Sequence, residues 1–511
     1  MLAFNLLTSS REPAWGDAHG MWAVADQLVA HHAIDISLRW PEDIPPGRNG
    51  KYYGIAPIGP SLVHVPGVGL AGLGHRVAPA DDALIRPLAT HLAPSALGAL
   101  ACVVFFLLLG DLGIGARTAS IATVILACAT TTWVYARSPY SEILQLAAFL
   151  GLVRQVLRTA GEPSRRHALG LGAWAGVLLN AKYVFASAIV GGVVVIAWSL
   201  RRRRRELVRV LGWAALTGLP FVGLALVYNW ARWGSIARTG YEPYLDAYFG
   251  GSLFDGAWGM LASPNKSVFL YSPPLVLAAI GLPAALRAAP RFGLALVAMV
   301  VPVFLIYATY RSWSGDYAWG PRFFVWATPV VLVPIAWVLD AATTRLRRAA
   351  VAGVVVLGLG VQLLGNALYW DHFIRIAIDA KNQWLGQPDR SGSYIATRGR
   401  AHCDSCFEDT YELLWTPAFQ PIRGHWWLVR SLAAGDTAAE AQEGAPWRTY
   451  TTLPVHIDAS YARARIDWWG LLWLEDAPQT RPLGIAIGAG FIVALAWAIR
   501  RWRQRWRAVA S

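Results

Sequence analysis

The sequence is poor in charged residues and in cysteine. Only 15% of its 511 residues are Asp, Glu, Lys or Arg, whereas a soluble chain of this length carries roughly a quarter. It has four cysteines, no signal-peptide pattern, no internal repeat, and no low-complexity tract apart from the five arginines at 201–205. The scarcity of charge excludes a soluble enzyme and a disordered chain.

Long apolar runs take the place of the missing charge. Hydrophobic residues make up 55% of the chain and recur in runs of about 17 to 22 residues, the length of a helix that crosses a bilayer core. A further run at 57–77 contains three prolines, which argue against a regular spanning helix. We expect it, like the helical pattern at 17–32, to lie along the outer membrane surface. The predicted spans are 88–109, 117–136, 140–157, 167–181, 184–200, 208–229, 267–287, 291–310, 322–341, 348–369 and 483–499.

Positive charge is concentrated in alternate loops. The net charge of +14 raises the question of nucleic-acid binding. Twenty Lys and Arg and three acids, a net +17, fall in the segments 111–117, 158–166, 201–209, 287–291, 345–348 and 500–507, so the rest of the chain sums to −3. Basic residues on alternate loops mark the cytoplasmic side of a membrane protein. Nucleic acid is therefore excluded as a partner. The predicted external segments are 9–87, 230–266, 311–321 and 370–482.

These patterns divide the chain into four parts. Residues 1–87 are expected to hold a truncated first span, because the apolar residues 1–8 are too few to cross, and an external loop with interfacial helices. Residues 88–369 form the predicted transmembrane core. The segment 370–482, about 110 residues long, is large enough for a small external domain. Residues 483–511 form the last transmembrane helix and a basic cytoplasmic tail.

The cysteines suggest at most one cross-link. Cys102 and Cys128 fall within spans, where they pack as small apolar residues. Cys403 and Cys406 form a C-x-x-C in the external segment, and oxidation is permitted there, so a local disulfide is our first interpretation. A zinc site with His402 would lack a second pair at metal spacing, and a thioredoxin-like role would lack the βαβ pattern.

The first external loop offers an acid and hydrogen-bonding groups. Asp17, two residues before His19, precedes the helical pattern at 18–32, where a carboxylate can act as a general base toward a substrate at the membrane surface. Local sequence alone favours a helix N-cap for this aspartate, and the two roles can coexist. Groups that could bind a sugar or a lipid phosphate, or equally form a surface turn, follow at Lys51, Tyr52 and Tyr53.

Cations lie at the predicted external ends of spans. A Lys or Arg at membrane depth costs about 2.5–3.5 kcal/mol on insertion scales, so each is expected to have a partner. Arg137 has Glu142 close in sequence as an ion-pair partner. For Lys182 the alternatives are a side chain that extends to the interface and, as we favour, an anionic lipid phosphate.

Two stretches rich in Gly, Pro and Ser also fall at the external mouths of spans. They are SPNKSVFLYSPP, from Ser263, and WSGDYAWGPRFF, from Trp313. Irregular backbone is tolerated at a membrane only where it lines a cavity or is buried in protein. An interfacial aromatic belt explains the tryptophans but not two cation-bearing loops on one face. Their functional groups are Lys266, Arg311, Arg322, Asp316, Trp313 and Trp319.

The order of these features resembles the GT-C superfamily of polytopic glycosyltransferases, especially bacterial relatives of protein O-mannosyltransferases and aminoarabinose transferases. The shared features are an early acid in the first external loop, interfacial helices ending in a Pro-rich stretch, and many spans. Specific similarity is confined to the two stretches above. Many members have adjacent acids in the first loop, whereas Asp17 is followed by Ala18. The resemblance implies an all-α polytopic fold of about 11–12 transmembrane helices in a bacterial inner membrane.

The resemblance also implies an activity and a site. The donor would be a polyprenyl-phosphate-linked sugar, the acceptor a glycan, lipid or protein on the external face, and the transfer would proceed with inversion. Asp17 would activate the acceptor hydroxyl. The donor phosphate would be held by cations, with Lys182 and Arg322 ahead of Arg137, Lys266 and Arg311. The substrate-binding candidates are His19, Lys51, Tyr52, Tyr53, Trp313, Asp316 and Trp319.

Other functions stay open at the level of sequence. A transporter or flippase of a lipid-linked glycan is the alternative; that class often has internal repeats and helices broken at the midplane, whereas the polar residues here gather at the external rim. A non-catalytic scaffold with 370–482 as its binding module is a third. No cofactor is specified, and a divalent metal stays open because one acid is a poor metal site by itself. The oligomeric state is not specified either.

Overall fold

The computed structural model describes residues 1–11, 16–37, 45–245, 249–315, 318–384, 413–449, 457–471 and 481–510. Regular structure within these ranges is helical, and β-type pairing there is limited to three isolated bridges. The predicted all-α class is confirmed.

The helices are numbered along the chain. Helices α1 to α7 are Leu2–Leu7, Asp17–His31, Ile58–Val77, Asp82–Asp111, Ala116–Ala129, Thr132–Ala136 and Glu142–Gly161. Helices α8 to α13 are Arg165–Ala181, Ala186–Ser199, Arg204–Trp233, Leu253–Ala262, Val268–Tyr271 and Pro274–Ala288. Helix α14, Pro290–Ala308, includes a π-helical segment at Leu296–Val300. Helices α15 to α22 are Thr328–Leu332, Ile335–Ala341, Arg345–Ala367, Trp370–Trp384, Pro421–Ala434, Ala438–Glu443, Asp458–Tyr461 and Arg481–Ala510.

Each of the eleven predicted spans coincides with a helix or with consecutive helices. Six helical stretches of the described chain are long and apolar enough to cross a membrane: Pro79–Asp111, Glu142–Gly161, Arg204–Trp233, Pro290–Ala308, Arg345–Ala367 and Pro482–Arg501. A seventh candidate is the pair Arg322–Leu332 and Ile335–Ala341, bent by 43°. The other predicted spans correspond to shorter helices.

Three of the predicted spans contain a break. The span 117–136 is interrupted at Thr130, whose hydroxyl donates to the Leu126 carbonyl at 2.6 Å. Such side-chain bonds compete with the helical ladder. The spans 267–287 and 322–341 break beside Pro273 and Pro334, because proline lacks the amide hydrogen that continues a helix.

Side-chain contacts between helices show which helix ends lie together. Arg154 Nε donates to Asp111 Oδ2 at 2.6 Å, which joins the C-terminal half of α7 to the last residue of α4, and Thr118 near the start of α5 donates to Asp340 near the end of α16. At the opposite ends, Asp17 at the start of α2 and Glu142 at the start of α7 meet Arg322. We call this second end the site end.

The largest hydrophobic core surrounds α7. The apolar stretch of this helix is 78% buried within the protein, a larger fraction than in any other candidate span of the described chain. Phe149 of α7 packs edge-on against Trp326 at 4.8 Å, and Phe185 packs against the same indole at 5.3 Å. A second core joins α18 to α21 around Phe373, Trp427 and Trp447. The two cores meet where His425 of α19 lies against Trp319 of the first core at 4.6 Å and against Phe373 of the second at 6.2 Å.

A cluster of acids and cations at the site end

Arg322 forms the centre of the candidate site. Its Nε donates to Glu142 Oε1 at 2.6 Å, and its Nη2 donates to Asp17 Oδ2 at 2.8 Å. The exposed fraction rises outward through the cluster, from 2% for the Glu142 side chain to 12% for Arg322 and 40% for Asp17. The two carboxylates therefore hold one guanidinium between a buried side at Glu142 and a solvent-exposed side at Asp17.

The backbone before Arg322 is held by several polar groups. The loop turns at Gly315 and Gly320, whose positive φ angles of 75° and 67° favour glycine. Lys266 is buried, and its Nζ donates to the Ala318 carbonyl at 2.6 Å and to the Gly320 carbonyl at 3.3 Å. The predicted cation Lys266 therefore positions the loop that presents Arg322.

Two tyrosines, Tyr135 and Tyr271, contact Trp319 of the same loop. Tyr135 of α6 donates its hydroxyl to the Trp319 carbonyl at 3.1 Å. The indole of Trp319 is fully buried, edge-on to Tyr271 at 5.0 Å. The side chain of Trp319 is thus buried in the protein core and anchors the loop there.

Lys182 lies beside this cluster, in the turn between α8 and α9. Its Nζ lies over the Phe323 ring at 4.9 Å and the Tyr307 ring at 5.4 Å, and these two rings stack at 4.8 Å. A cation over aromatic faces gains up to about 2 kcal/mol where water is excluded. Burial lowers the pKa of the Lys182 ammonium, while Glu142 and Asp17 act in the opposite direction and Arg322 in the same one. Lys182 therefore belongs to the electrostatic unit around Arg322.

Unsatisfied polar atoms border the cluster. Within the described chain, Glu142 Oε2 and the Tyr307 hydroxyl are buried without a hydrogen-bond partner. Buried polar groups are normally paired, so each such atom calls for a partner. The ring of Tyr140 lies 4.9 Å from the Arg322 guanidinium and covers one of its faces. These atoms leave hydrogen-bonding capacity for a polar ligand.

The structure brings together Asp17, Lys182 and Arg322, but it places Arg137 in another pair. Arg137 donates to Asp467 Oδ2 at 2.7 Å and to the Asn366 carbonyl. The possible partner Glu142 binds Arg322 instead. The N-cap position of α2 is held by Gly16, and Asp17 is the first helical residue, so the capping role considered for Asp17 is wrong.

The remaining candidates are spread around the site end. His19 is exposed on α2. Lys51 pairs with Asp35 at 3.1 Å; the Tyr52 carbonyl accepts from Ile36 N at 2.9 Å, and buried Tyr53 packs against Trp233. Exposed Arg311 donates to the Phe249 carbonyl at 3.2 Å, and buried Trp313 lies against Trp415. The predicted residues that lie outside the described ranges are Asp316, Cys403 and Cys406.

Sequence reasoning missed four members of the cluster. Glu142 was considered only as a partner of Arg137, although an acid at the start of an apolar run is itself a signal of function. Phe323 lies inside the WSGDYAWGPRFF stretch. Tyr140 and Tyr307 gave no signal beyond aromatic residues near span ends. Among the described residues, no group of three His, Cys, Asp or Glu side chains could hold a metal ion.

Comparisons with known proteins found similar solved structures. No protein-family model and no curated protein sequence matches the chain. The crystal structure of ArnT from Cupriavidus metallidurans bound to undecaprenyl phosphate superposes with a TM-score of 0.50 at 15% identity, over 97% of this chain and 74% of that one. The archaeal oligosaccharyltransferase AglB from Archaeoglobus fulgidus, in complex with an inhibitory peptide and a dolichol-phosphate, gives 0.48 at 13% identity, over 78% and 59%. The superposition shows that the chain shares the overall fold of this ArnT structure.

Proposed function

We propose that this chain is a membrane glycosyltransferase that moves a sugar from a polyprenyl-phosphate-linked donor to an acceptor hydroxyl, on the external face of a bacterial inner membrane. The observation that carries the proposal is the cluster of Asp17, Glu142, Arg322 and Lys182 at one end of the helices. The ArnT structure with the same fold was crystallised with undecaprenyl phosphate.

The cations supply what a phosphate leaving group requires. Breaking the bond between the anomeric carbon and the phosphate oxygen leaves the electron pair on that oxygen, so negative charge develops there. Fixed positive charge in a site with little water stabilises this charge strongly. Arg322 is partly buried and Lys182 lies against aromatic rings, so both are shielded from bulk water.

The carboxylates supply the other half of the chemistry. As the acceptor oxygen bonds to the anomeric carbon, its proton must pass to a base, and Asp17 is the more exposed acid of the cluster. Attack from the face opposite the phosphate inverts the configuration at that carbon. The unpaired Glu142 Oε2 and the Tyr307 hydroxyl can hydrogen-bond the sugar-phosphate substrate. A bond to the neutral tyrosine contributes about 1 kcal/mol and one to the glutamate carboxylate about 1.5–3 kcal/mol.

The test separates carrier binding from transfer. Protein in nanodiscs is titrated with undecaprenyl phosphate, and transfer is followed with a panel of undecaprenyl-phosphate-linked sugars in membranes that contain the acceptor. Lys182→Ala and Arg322→Gln are each expected to weaken carrier binding about 10- to 100-fold, as for loss of a charged hydrogen bond. Asp17→Asn should abolish transfer and leave the carrier bound.

Arg311→Gln is the matched control, since it removes an exposed cation from the same end of the molecule, outside the cluster. It should change neither measurement. Full transfer by Asp17→Asn would refute the assigned base. Carrier binding that is equal in Lys182→Ala, Arg322→Gln and Arg311→Gln would refute the phosphate site.

A further inference from the structure

One face of α10 is cationic near the start of the helix and apolar further along. Arg205 and Arg209 lie one turn apart, and both are exposed. Leu216 is 58% and Leu219 62% exposed. At 100° per residue, these four side chains fall within an arc of about 80°. The exposed face of α10 therefore has a charged part and an apolar part in sequence along the axis.

A third cation joins this face from α8. The guanidinium carbon of Arg165, the first residue of α8, lies 4.3 Å from the centroid of the Trp213 ring. Trp213 follows Arg209 by one turn of α10, so their side chains are neighbours. Three arginines, Arg165, Arg205 and Arg209, thus gather where α8 and α10 begin.

The charge of this cluster is not balanced by an acid of the described chain. Among the described residues, no carboxylate forms an ion pair with Arg165, Arg205 or Arg209, and the neighbouring Glu206 pairs with Arg203 at 3.4 Å. Like charges one turn apart destabilise a helix. An anion bound between the arginines would remove this repulsion.

The position of the cluster in the membrane identifies the class of anion. Helix α8 runs from Arg165 to the turn of Lys182 at the site end, so the arginines lie at the opposite end. Helix α10 is a candidate span whose apolar stretch is only 11% buried within the protein, which leaves it open to acyl chains. Between the arginines and the leucines, a Cβ at Gly212 would meet nothing within 4 Å. Tryptophan, here Trp213, is typical of the headgroup depth.

We propose that an anionic phospholipid binds lengthwise along this face of α10. Its phosphate lies between Arg205 and Arg209, with Arg165 beside them. One acyl chain follows Leu216 and Leu219 toward the membrane centre. A phosphate next to arginines and a chain on leucines match the order of groups along the helix, and a zwitterionic headgroup would bring its ammonium into the same cationic cluster. The proposal does not depend on sugar transfer, because the site lies at the other end of the molecule.

The test compares two lipids that differ in headgroup charge. Protein in detergent is titrated with phosphatidylglycerol or with phosphatidylethanolamine of the same acyl chains, and bound lipid is measured by native mass spectrometry. The unchanged protein is expected to bind phosphatidylglycerol more tightly. Replacing both cations of α10, Arg205→Gln with Arg209→Gln, should weaken the tightest phosphatidylglycerol site about 30-fold and leave phosphatidylethanolamine binding unchanged.

Arg347→Gln with Arg348→Gln is the matched control, since it removes two exposed cations from the same end of the molecule. Arg347 Nη1 and Arg348 Nε donate to the carbonyls of Ala341 and Ala342 at 3.5 Å and 2.9 Å, outside the cluster on α10. This variant should bind both lipids as the unchanged protein does.

Three results would overturn the proposal. One is an equal affinity of the unchanged protein for the two lipids. Another is an equal loss of phosphatidylglycerol binding in the two double variants, which would indicate a response to net charge alone. The third is complete displacement of phosphatidylglycerol by inorganic phosphate at the same concentration, which would assign the arginines to a free ion.

Discussion

Arg322 shows how a single residue can organise charges from distant parts of the chain. It lies 180 positions from Glu142 and 305 from Asp17, and it binds both. Leaving one partner of a buried ion pair alone is costly, typically about 3–5 kcal/mol. Glu142, with 2% of its side chain exposed, therefore depends on Arg322, and the same cation also pairs with the more exposed Asp17 carboxylate.

The pH dependence of carrier binding should report on Lys182. Burial lowers the pKa of its ammonium, so the side chain loses its proton at a lower pH than an ordinary lysine, whose pKa is about 10.4. A phosphate monoester, whose second pKa is about 6, is mostly dianionic above about pH 7. We expect the Kd for undecaprenyl phosphate to rise between neutral pH and about pH 10.

Lys182→Arg is the control for this titration, because arginine stays protonated over the whole range. Its binding curve should be flat where that of the unchanged protein rises. Titration calorimetry in nanodiscs measures both Kd values. An identical rise in the two proteins would show that another group is responsible.

Among the helices, the crossing of α8 and α10 governs the position of Lys182. Lys182 follows the last residue of α8, and Asn180 Nδ2 donates to the Phe221 carbonyl of α10 at 2.9 Å. Lower in the crossing, Gly172 lies against the Ala214 backbone, where a Cβ would overlap the carbonyl oxygen. Small residues allow this close approach of helices in membranes, and a shift of either helix would move Lys182.

Gly172→Ala should therefore destabilise the protein even though alanine favours helix. The added methyl group forces α8 away from the α10 backbone, and overpacking of this kind costs about 1–3 kcal/mol. We expect a lower Tm in detergent and a weaker affinity for undecaprenyl phosphate. Gly212→Ala is the control, since a Cβ there meets nothing within 4 Å and should leave Tm unchanged or raise it. Equal Tm values for the two variants would contradict the crossing as described.

At the scale of the whole molecule, the sequence predicted the helices better than the meeting points of their ends. Apolar runs locate spans because each run must be long enough to cross the bilayer, and all eleven correspond to helices. Lys182 and Arg322 were named because each is a cation at the end of a predicted span, and Asp17 because it is an acid just before a predicted interfacial helix. The Arg322–Glu142 pair was not foreseen, because contacts between residues far apart in sequence leave no local pattern.

The same limit applies to Arg137, which joins three distant segments. Asp467 accepts hydrogen bonds from Arg137 Nη2 at 2.7 Å, from Ser10 Oγ at 2.9 Å and from Arg11 N at 3.0 Å. Both charged side chains are buried, at 3% and 1% exposure. The segment that leads toward Asp17, the turn before α7 and the chain before α22 are thus tied at one carboxylate.

Asp467→Ala is expected to destabilise the whole molecule because it leaves the Arg137 guanidinium buried without its acid, at a cost of about 3–5 kcal/mol. The double variant Arg137→Met with Asp467→Leu should recover part of this loss, since it removes the unpaired charge, but not all of it, because the hydrogen bonds from Ser10 Oγ and Arg11 N to Asp467 are still lost. The exposed pair Arg203–Glu206 provides the control: Glu206→Ala should cost less than about 1 kcal/mol. Thermal unfolding in detergent, followed by tryptophan fluorescence, measures all three variants. If Asp467→Ala lowers Tm no more than Glu206→Ala does, the carboxylate does not hold these segments together.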